Sequence, residues 1–573
     1  MRKLFFLLVV SIGYALSLAA QQNSTAEAQS AIRNFQARES KRDSALNHPL
    51  GSNSEADFLR RYTFYDSLNK ALNSFNKNDL PFDEQVNLEL LKYSIEDDIY
   101  SYQYKAYLNP ILADEGFHTG LAAMGSRILS SKKEFDNYIK DLKDIPRFID
   151  ENLALMRTGL KLGICQPRII LNGYENTYEQ HIVGDATKSV FWKPFLSKPF
   201  SVSDDEWKTI QEEGRKAVLQ YAVDGFRNIK TFFDNEYLPK TRTTIGVSNF
   251  PKGLAYYKEL VHHYTTTDIS YEEVYQLGLQ EVARIKNEML GVLKEVNFTG
   301  TLQAFIAYLR TDPKFYAPTG EQLLKEASYI AKKADGMLPQ FFGKLPRQPY
   351  GVEPVPAHLA PTYTAGRYSG APITSKRAGH YWVNLYDLKS RPLYALESLT
   401  LHEAVPGHHL QIALTQELEN LPAFRRNLYV NAFGEGWGLY CEYLGTEMGF
   451  YKDPYSHFGR LTYDMWRACR LVIDVGLHAK GWTREQAVTY LSENTALSLH
   501  EVNTEINRYI SWPGQALAYK MGELKIKELR KRAETQLKDK FDIREFHDLI
   551  LSQGTVTLTI LEQMVDRYIQ RKL

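Results

Sequence analysis

Apolar residues recur along most of this chain at spacings of three and four, which is the period of an α-helix with one buried face. The segment after Ser270 shows the pattern well. Ser270 and Glu273 have the spacing of a capping box, the reciprocal hydrogen bonding that starts many helices. The apolar positions that follow are Val282, Ile285, Met289, Leu293 and Val296. We therefore expect a long helix that begins just after Ser270.

The same period dominates the rest of the chain, and alternation with a period of two is scarce. Further helices are predicted at 84–108, 133–162, 204–233, 455–480 and 484–494. The best strand candidate is 379–385, where apolar and polar residues alternate. The sequence thus predicts a mainly α fold with a small β element.

A stretch rich in proline and glycine, 342–375, interrupts the helical pattern. Such a long irregular stretch inside a compact chain is usually a linker or a functional loop. We use it to divide the mature chain into an N-terminal helical lobe, 20–340, and a catalytic lobe, 341–573.

The first residues have the features of a secretory signal peptide. Arg2 and Lys3 precede an apolar run from Leu4 to Leu18, and Ser17-Leu18-Ala19 offers the small residues that signal peptidase accepts. We predict that 1–19 is removed on export, which leaves a periplasmic or secreted protein. No later segment is long and apolar enough to cross a membrane, so no stable membrane insertion of the mature chain is expected.

Composition narrows the function classes. The net charge of +1 gives the protein no general attraction for nucleic acid. The three cysteines, Cys165, Cys441 and Cys469, are widely separated and odd in number, so they predict no disulfide framework. We interpret them as small buried apolar residues.

The residues at 402–409, with the sequence HEAVPGHH, carry the strongest chemical signal. Zinc peptidases commonly hold their metal with two histidines four residues apart on a helix, and the glutamate beside the first histidine acts as general base. Here His402 and Glu403 are present, but the next histidines are His408 and His409. In a regular helix these would lie about 9 Å or more along the axis from His402, too far to share one ion.

Pro406 and Gly407 offer a way to shorten this path. Proline cannot donate a hydrogen bond to the carbonyl of His402, and glycine permits unusual torsions. We therefore predict a bulged helix that absorbs two residues and brings His408 to the metal. His409 stays open as the alternative, because seven residues make about two full turns of a straight helix.

A zinc peptidase of this type needs a third ligand from another helix and an open coordination position. Glu435, in the segment Gly434-Glu435-Gly436-Trp437, lies far enough downstream of His408 for the chain to turn back. Glu442, two helical turns later on the same face, is a plausible partner for one of the ligands.

Residues 402–411, 434–437 and 512–522 together resemble the bacterial family catalogued as domain of unknown function 885. Residues 253–257 and the helix after Ser270 extend the resemblance to nearly the whole mature chain. That family is regarded as helical zinc-dependent peptidases, distantly similar to thimet oligopeptidase and carboxypeptidase Taq. The resemblance implies a two-lobed helical architecture with a deep cleft, which would favour short, flexible peptides.

Other residues are candidates to assist catalysis. Tyr519, Arg508 and Tyr509 could stabilise the oxyanion. On one predicted helix face, Asp474 could orient His478 towards substrate; a buried salt-bridged stripe with Arg470 is the alternative. Tyr381 and Asn384, the remaining candidates, could pair with the substrate backbone if their strand lies at a sheet edge.

The prediction is thus a hydrolase that uses Zn²⁺, held by His402, His408 and Glu435, to cleave peptide bonds, with Glu403 as general base. Tyr519, His478 and Arg508 are the assisting catalytic candidates. One alternative is an amidase that acts on cell-wall peptides. Another is a periplasmic peptide-binding protein with structural zinc, against which Glu403 argues, since a structural site needs no general base.

Overall fold

A computed structural model of the chain describes residues 26, 27, 29, 30, 32–35, 39, 48–357 and 359–573. The predicted signal peptide, 1–19, lies outside the described residues. Contacts between Cα atoms divide the chain into two compact units. Unit 1 comprises Met1–Ile245 and Asn249–Gly253, and unit 2 comprises Gly246–Ser248 and Leu254–Leu573.

Unit 1 is helical. Within residues 48–253, its α-helices are α1 (Glu55–Asn73), α2 (Phe82–Gln103), α3 (Lys132–Leu162), α4 (Asn176–Glu179), α5 (Asp204–Ala217) and α6 (Asp224–Phe232). Turns of π-helix, Val218–Val223 and Phe233–Tyr237, follow α5 and α6. Helix α1 packs on α2, and α3 packs on both α5 and α6. Aromatic rings fill part of this core: Phe195 lies 5.6 Å from both Phe135 and Tyr138 between ring centroids.

Unit 2 holds the remaining helices and the sheet. Its first helices are α7 (Gly253–Thr265), α8 (Tyr271–Glu295), α9 (Leu302–Thr311) and α10 (Gly320–Phe341). After the sheet come α11 (Leu396–Glu403), α12 (His408–Gln416), α13 (Ala423–Asn427), α14 (Asn431–Leu444) and α15 (Pro454–Ala479). The last are α16 (Arg484–Asn494), α17 (Leu499–Ser511), α18 (Ala518–Leu537), α19 (Ile543–Leu551) and α20 (Leu558–Lys572).

Helix α15 is the central helix of unit 2, since every residue from 458 to 478 is buried. It packs along α8, and α14 packs along α18. A stripe of charged and polar side chains nevertheless follows one side of α15. Its members are Arg460, Asp464, Arg467, Arg470, Asp474 and His478. Buried charges need partners, and neighbouring elements of unit 2 supply several of them.

One group of these partners, which we call the lysine cluster, surrounds Lys520 of α18. The Lys520 ammonium is fully buried and contacts the carboxylates of Asp464, Glu523 and Glu281. Arg284 adds a second cation, 2.7 Å from Glu281 and 3.2 Å from Asp464. These opposite charges keep the pKa of Lys520 raised against the effect of burial and the pKa of Asp464 lowered.

Three strands of the described chain form one small sheet in the order β1-β3-β2. They are β1 (Tyr350–Pro354), β2 (Gly366–Ser369) and β3 (Gly379–Val383). Strand β3 pairs parallel with β1 and antiparallel with β2, with Tyr368 opposite Tyr381. The edge strands are therefore β1 and β2, and both come from the stretch rich in proline and glycine.

The predicted fold class is confirmed: the structure is mainly helical with a small β element. The capping box of Ser270 and Glu273 is present at the start of α8, and the predicted strand corresponds to β3. The division between the units, near residue 250, differs from the boundary near 340 that the sequence suggested. The difference has a simple cause: β1 packs on α10, so the irregular stretch belongs to unit 2 together with the helices on both sides of it.

Two further predictions concern membranes and cysteines. Within the described part of the chain, no helix has the length and apolar character that a membrane span requires. Cys165, Cys441 and Cys469 are buried free thiols, as expected from their spacing.

Candidate metal centre

The motif helix is broken, and the break brings the two histidines together. Helix α11 ends at Glu403, and α12 begins at His408. Ala404 leaves the helical region with φ −93° and ψ −111°, and its carbonyl accepts the N–H of His409 at 3.1 Å. The rings of His402 and His408 end 4.7 Å apart between centroids, at 86° to each other.

The prediction of a bulged helix was therefore wrong in form. Pro406 has no N–H to continue the ladder, and Gly407 sits so close to the carbonyl of His402 that a Cβ there would lie 1.9 Å from its oxygen. The chain makes a tight turn between two helices instead. The indole of Trp437 anchors this turn by donating to the carbonyl of Pro406 at 2.9 Å.

Glu435 approaches the same point from α14. Its Oε2 lies 3.5 Å from Nε2 of His402 and 3.4 Å from Nε2 of His408. All three potential ligand atoms lie within 4.8 Å of one another. Two bonds of about 2.1 Å at the tetrahedral angle would place ligand atoms about 3.4 Å apart. The two imidazole–carboxylate distances match this value, so His402, His408 and Glu435 have the chemistry of three ligands to one zinc ion and come close to the required spacing.

Glycines on α14 make this approach possible. A Cβ at Gly438 would lie 2.6 to 2.9 Å from three atoms of the His402 ring. A Cβ at Gly436 would lie 2.4 Å from the Cα of Gly522, where α14 crosses α18. The pattern Gly434-Glu435-Gly436-Trp437-Gly438 thus lets α14 lie close to both neighbours while Glu435 points to the histidines.

Glu442 and Arg467 hold His402 from the other side. The Nδ1 of His402 lies 2.8 Å from Oε1 of Glu442, and the same oxygen lies 3.2 Å from Nη2 of Arg467. Glu442 and Arg467 are both buried. This contact fixes the ring of His402 and directs its Nε2 towards Glu435, an arrangement common behind metal-binding histidines. The expected role of Glu442 as a partner of a ligand is consistent with this geometry.

The electrostatics at this point favour a cation. Burial lowers the pKa of His402, but the neighbouring carboxylates of Glu435 and Glu442 outweigh it and raise that pKa to about 10. Burial raises the pKa of Glu435, but His402 and His408 hold it well below its usual value. In addition, Nδ1 of His408 is buried without a hydrogen-bond partner. A bound divalent ion would balance the same carboxylates.

Glu403 lies beside the ligand group without belonging to it. Its Oε2 accepts the backbone N–H of Tyr368, on the edge strand β2, at 2.8 Å. The carboxylate is thereby held in place, and its charge acts on the neighbouring His402.

His409 points away from the three ligand atoms. It is buried, and its Nδ1 lies 2.9 Å from the hydroxyl of Tyr368. Burial lowers the pKa of His409 to about 4. Of the two histidines that the sequence left open, the structure brings His408 to His402 and Glu435.

Tyr519 and Arg508 lie together near this site. Nη2 of Arg508 donates to the hydroxyl of Tyr519 at 3.1 Å and to the side chain of Gln515 at 2.8 Å. Tyr429, which is 37% exposed, lies between them and the ligands: desolvation of its hydroxyl and the neighbouring Glu435 and Tyr519 raise its pKa well above the usual value.

The structure does not bring His478 to the site. His478 is fully buried, its Nδ1 accepts the N–H of Val247 at 3.1 Å, and its Nε2 lies 2.9 Å from the carbonyl of Tyr509. Asp474 does not orient it, since Asp474 accepts from the hydroxyl of Tyr257 at 2.6 Å and from the N–H of Gly514. The predicted catalytic role is therefore corrected to a structural one: both residues tie the central helix to its neighbours.

Tyr381 and Asn384 are also structural. Strand β3 is the central strand, and the ring of Tyr381 is fully buried. The amide of Asn384 donates to the carbonyls of Ala360, Tyr363 and Thr364. The strand whose edge faces the motif helix is β2.

Sequence reasoning missed Arg367 and Tyr429. Arg367 is an exposed residue of β2; desolvation lowers its pKa, but the neighbouring Tyr363, Glu403 and Glu435 raise it overall. Arg367 belongs to the irregular stretch 342–375, for which the sequence left open a linker or a functional loop, and this was the available signal. Tyr429 lies in a short connection before α14, and no pattern in the sequence indicated its position.

Comparisons with known proteins are consistent with this fold. The model of a family described as bacterial protein of unknown function, DUF885, matches residues 36–565. The crystal structure of a "putative lipoprotein" from Colwellia psychrerythraea is 28% identical, with a TM-score of 0.84 over 96% of this chain and 100% of that chain. A "putative lipoprotein of unknown function" from Shewanella oneidensis is 16% identical, with a TM-score of 0.70 over 93% and 98%, and shows the shared fold alone. No curated protein matches the chain.

Proposed function

Because this chain belongs to the DUF885 family of bacterial proteins, whose function is unknown, we propose its function from its own residues: zinc-dependent hydrolysis of peptide bonds in short peptides. One observation carries the proposal. Two imidazoles and one carboxylate converge at zinc-ligand spacing, and a further carboxylate, Glu403, stands beside them held by a backbone N–H. A three-ligand site with a neighbouring base is the arrangement of catalytic zinc.

The residues present fit the metal. His402, His408 and Glu435 would hold zinc, and Glu442 would keep the ring of His402 in place. When bound, zinc would supply a Lewis acid that polarises the scissile carbonyl group and makes a water molecule more acidic.

The chain's own residues perform the proton transfers. Glu403 takes a proton from the attacking water and later passes it to the leaving amine. Tyr519 accepts a hydrogen bond from Arg508, which leaves its own O–H available to donate to the developing oxyanion. Edge strand β2 presents Arg367 on the same side as Glu403.

Two alternatives share part of this geometry. An amidase that acts on cell-wall peptides would use the same residues and differ only in substrate. A peptide-binding protein with structural zinc would not need Glu403, and structural zinc usually has four protein ligands. The position of Glu403 therefore favours an enzyme.

Export to the cell envelope completes the proposal. The basic start, apolar run and small residues at 1–19 are typical of a signal peptide, and the Colwellia protein of similar structure is described as a "putative lipoprotein". We expect the mature protein in the periplasm or outside the cell. N-terminal sequencing of protein from the native host should find a start near Ala20, and a soluble cytoplasmic protein that retains Met1 would contradict this.

The function is tested by zinc content and by digestion of a mixed peptide library followed by mass spectrometry. Purified wild type should carry about one zinc per chain and cleave short peptides. Glu403→Gln should keep its zinc and lose about 10²- to 10⁴-fold in turnover. Glu419→Gln makes the same chemical change at an exposed glutamate just after α12; it is the matched control and should behave as wild type. Wild-type turnover in Glu403→Gln would overturn the general-base assignment.

A further inference from the structure

One guanidinium near the candidate metal centre keeps hydrogen-bond donors free. Arg508, on α17, has 25% of its side chain exposed, and its Nη2 donates to the neutral side chains of Gln515 and Tyr519. Its Nη1 lies 3.6 Å from Oε1 of Glu505, and within the described chain neither Nη1 nor Nε of Arg508 donates a hydrogen bond. A guanidinium carries five N–H groups, so Arg508 retains donors for a ligand.

The charges around Arg508 favour an anion. Among the described residues, Glu505 is the only carboxylate that forms an ion pair with Arg508, and Glu505 is already engaged by Arg470, whose Nη2 lies 2.8 Å from its Oε2. Arg470 and Glu505 are both buried, with 2% exposure each. Two guanidinium groups thus share one carboxylate, and a ligand can approach the surplus positive charge only at Arg508.

Arg508 is linked to the helix that carries Glu435. The side chain of Gln515 accepts from Nη2 of Arg508 at 2.8 Å, and its Nε2 donates to Oδ1 of Asn431 at 3.3 Å. Asn431 is the first residue of α14 and lies about one helical turn before Glu435. The guanidinium is thereby held at the end of α14 that leads to the candidate metal centre.

Tyr519 limits the distance between this guanidinium and the reacting group. Tyr519 lies about one turn before Gly522, where α18 crosses α14 at Gly436, and its hydroxyl lies 3.1 Å from Nη2 of Arg508. With Tyr519 donating to the oxyanion, and about 3 Å for each hydrogen bond, a carboxylate on Arg508 and the oxyanion lie at most about 11 Å apart. An extended peptide spans about 3.3–3.6 Å per residue, so about three residues at most separate the scissile bond from that carboxylate.

We propose that Arg508 binds the free C-terminal carboxylate of the substrate, so that the protein releases about one to three residues from the C-terminus of short peptides. This inference rests on the proposed peptidase function and names its substrate class. A carboxylate matches a guanidinium because both groups are planar and two parallel N–H···O hydrogen bonds can join them. Arg508 thus acts in substrate binding, and the role at the oxyanion falls to Tyr519.

An aspartate or glutamate side chain of the substrate offers the same chemical group. The C-terminal carboxylate is favoured because it belongs to the backbone and loses no side-chain freedom on binding. The two sources predict different substrates. If the C-terminal carboxylate is bound, amidation of the C-terminus slows cleavage of every peptide, whereas binding of a side chain leaves amidated peptides with aspartate or glutamate as good substrates.

Digestion of one peptide library in two forms, with a free C-terminal carboxylate and with a C-terminal amide, tests the substrate class. Mass spectrometry should show the free acids cleaved about one to three residues from the C-terminus. The amides should be cleaved at least about tenfold more slowly in kcat/KM, since they lose a charge-assisted contact. Equal rates for the two forms overturn the inference, and so does rapid cleavage of amides confined to peptides with aspartate or glutamate. Cleavage of neither form overturns the proposed function, and this inference with it.

Arg508→Gln locates the binding site of the carboxylate. The variant should raise the KM of free-acid peptides by about tenfold or more and leave the KM of the amides unchanged, while any loss of kcat through Tyr519 should affect both forms equally. Its zinc content should equal that of wild type, which reports a folded protein. Arg508→Lys keeps the charge but loses the planar fork, so it should restore only part of the preference for free acids. Arg571→Gln, at an exposed arginine of α20, is the matched control. An unchanged preference in both Arg508 variants would overturn the role of Arg508.

Discussion

Unit 2 contains two buried groups of charged side chains that are balanced in different ways. In the lysine cluster, the ammonium of Lys520 and the guanidinium of Arg284 lie among Asp464, Glu523 and Glu281. At the candidate metal centre, Glu435 and Glu442 face imidazoles, and Arg467 is the cation behind them. The first group supplies its own cations, while the second leaves three ligand atoms pointing at one position.

The difference teaches how a buried acidic group can be assigned. Where lysine or arginine contacts every carboxylate, the group is explained by packing and no ion is needed. Where histidines face a carboxylate at 3.4 to 3.5 Å, beyond good hydrogen-bond length, a shared ion explains the spacing better. Four substitutions, from the largest expected effect to the smallest, test this comparison.

Lys520→Met should have the largest effect on stability. It leaves the buried carboxylates of Asp464 and Glu523 and the partly buried Glu281 without their main cation, and breaking such a cluster costs about 3–5 kcal/mol. Urea denaturation should show a large fall in the free energy of unfolding. Lys525→Met, on the same helix but with partly exposed partners, should cost less than about 1 kcal/mol. Equal effects of the two changes would mean that the lysine cluster is not a structural unit.

His408→Ala should abolish stabilisation by zinc. A ligand at a hundredfold excess over its Kd stabilises the folded state by about 2.7 kcal/mol, so the thermal midpoint of wild type should rise with added zinc and fall with a chelator. The variant should show neither response. Lys525→Met should respond to zinc as wild type does. A normal zinc response in His408→Ala would contradict the ligand assignment.

Glu442→Gln should weaken zinc binding without abolishing it. Partners that orient a ligand histidine typically contribute about 10- to 100-fold in metal affinity, and the Gln carbonyl can still accept from Nδ1 of His402. Competition with a chromogenic chelator measures the change. Glu447→Gln changes an exposed carboxylate that pairs with Arg530, and it should leave the affinity unchanged. An equal loss in both variants would indicate a general rather than a local effect.

His409→Ala should have the smallest effect on the metal. It removes a contact to the hydroxyl of Tyr368, which costs about 1 kcal/mol of stability, but zinc content should stay near one per chain. The turnover of peptides should change, because Tyr368 also holds Glu403 through its backbone. Loss of zinc in His409→Ala, with retention in His408→Ala, would reverse the assignment of the second histidine.

The sequence predicted those features whose signal is local. The start of α8 is marked by its capping residues, and α16 begins and ends where its apolar period does. The three candidate ligands could also be predicted, because only a short irregular segment is needed to bring the histidines together and Pro406 with Gly407 indicates one. Whether this segment forms a bulged helix or a break between two helices could not be predicted, since Pro406 and Gly407 are compatible with both.

Features that depend on distant partners could not be read from the sequence. Val247 and Tyr509, which hold His478 in the core, lie 231 and 31 residues away along the chain. Nothing in the spacing of Asp474 and His478 reveals that both face such partners.

The glycines of α14 have a consequence for how this protein tolerates amino-acid replacement. Each glycine in a helix costs about 1 kcal/mol relative to alanine, so Gly434, Gly436 and Gly438 weaken the helix on its own and leave its order to tertiary contacts. A side chain at Gly438 would meet the ring of His402, and one at Gly436 would meet the backbone of α18. Glu435, between them, meets no such restriction. In a saturation mutagenesis screen scored for abundance, the glycines should therefore accept almost no replacement, while Glu435 should accept several. A single substitution at Glu435 should thus give a folded protein that lacks one of its three candidate metal ligands.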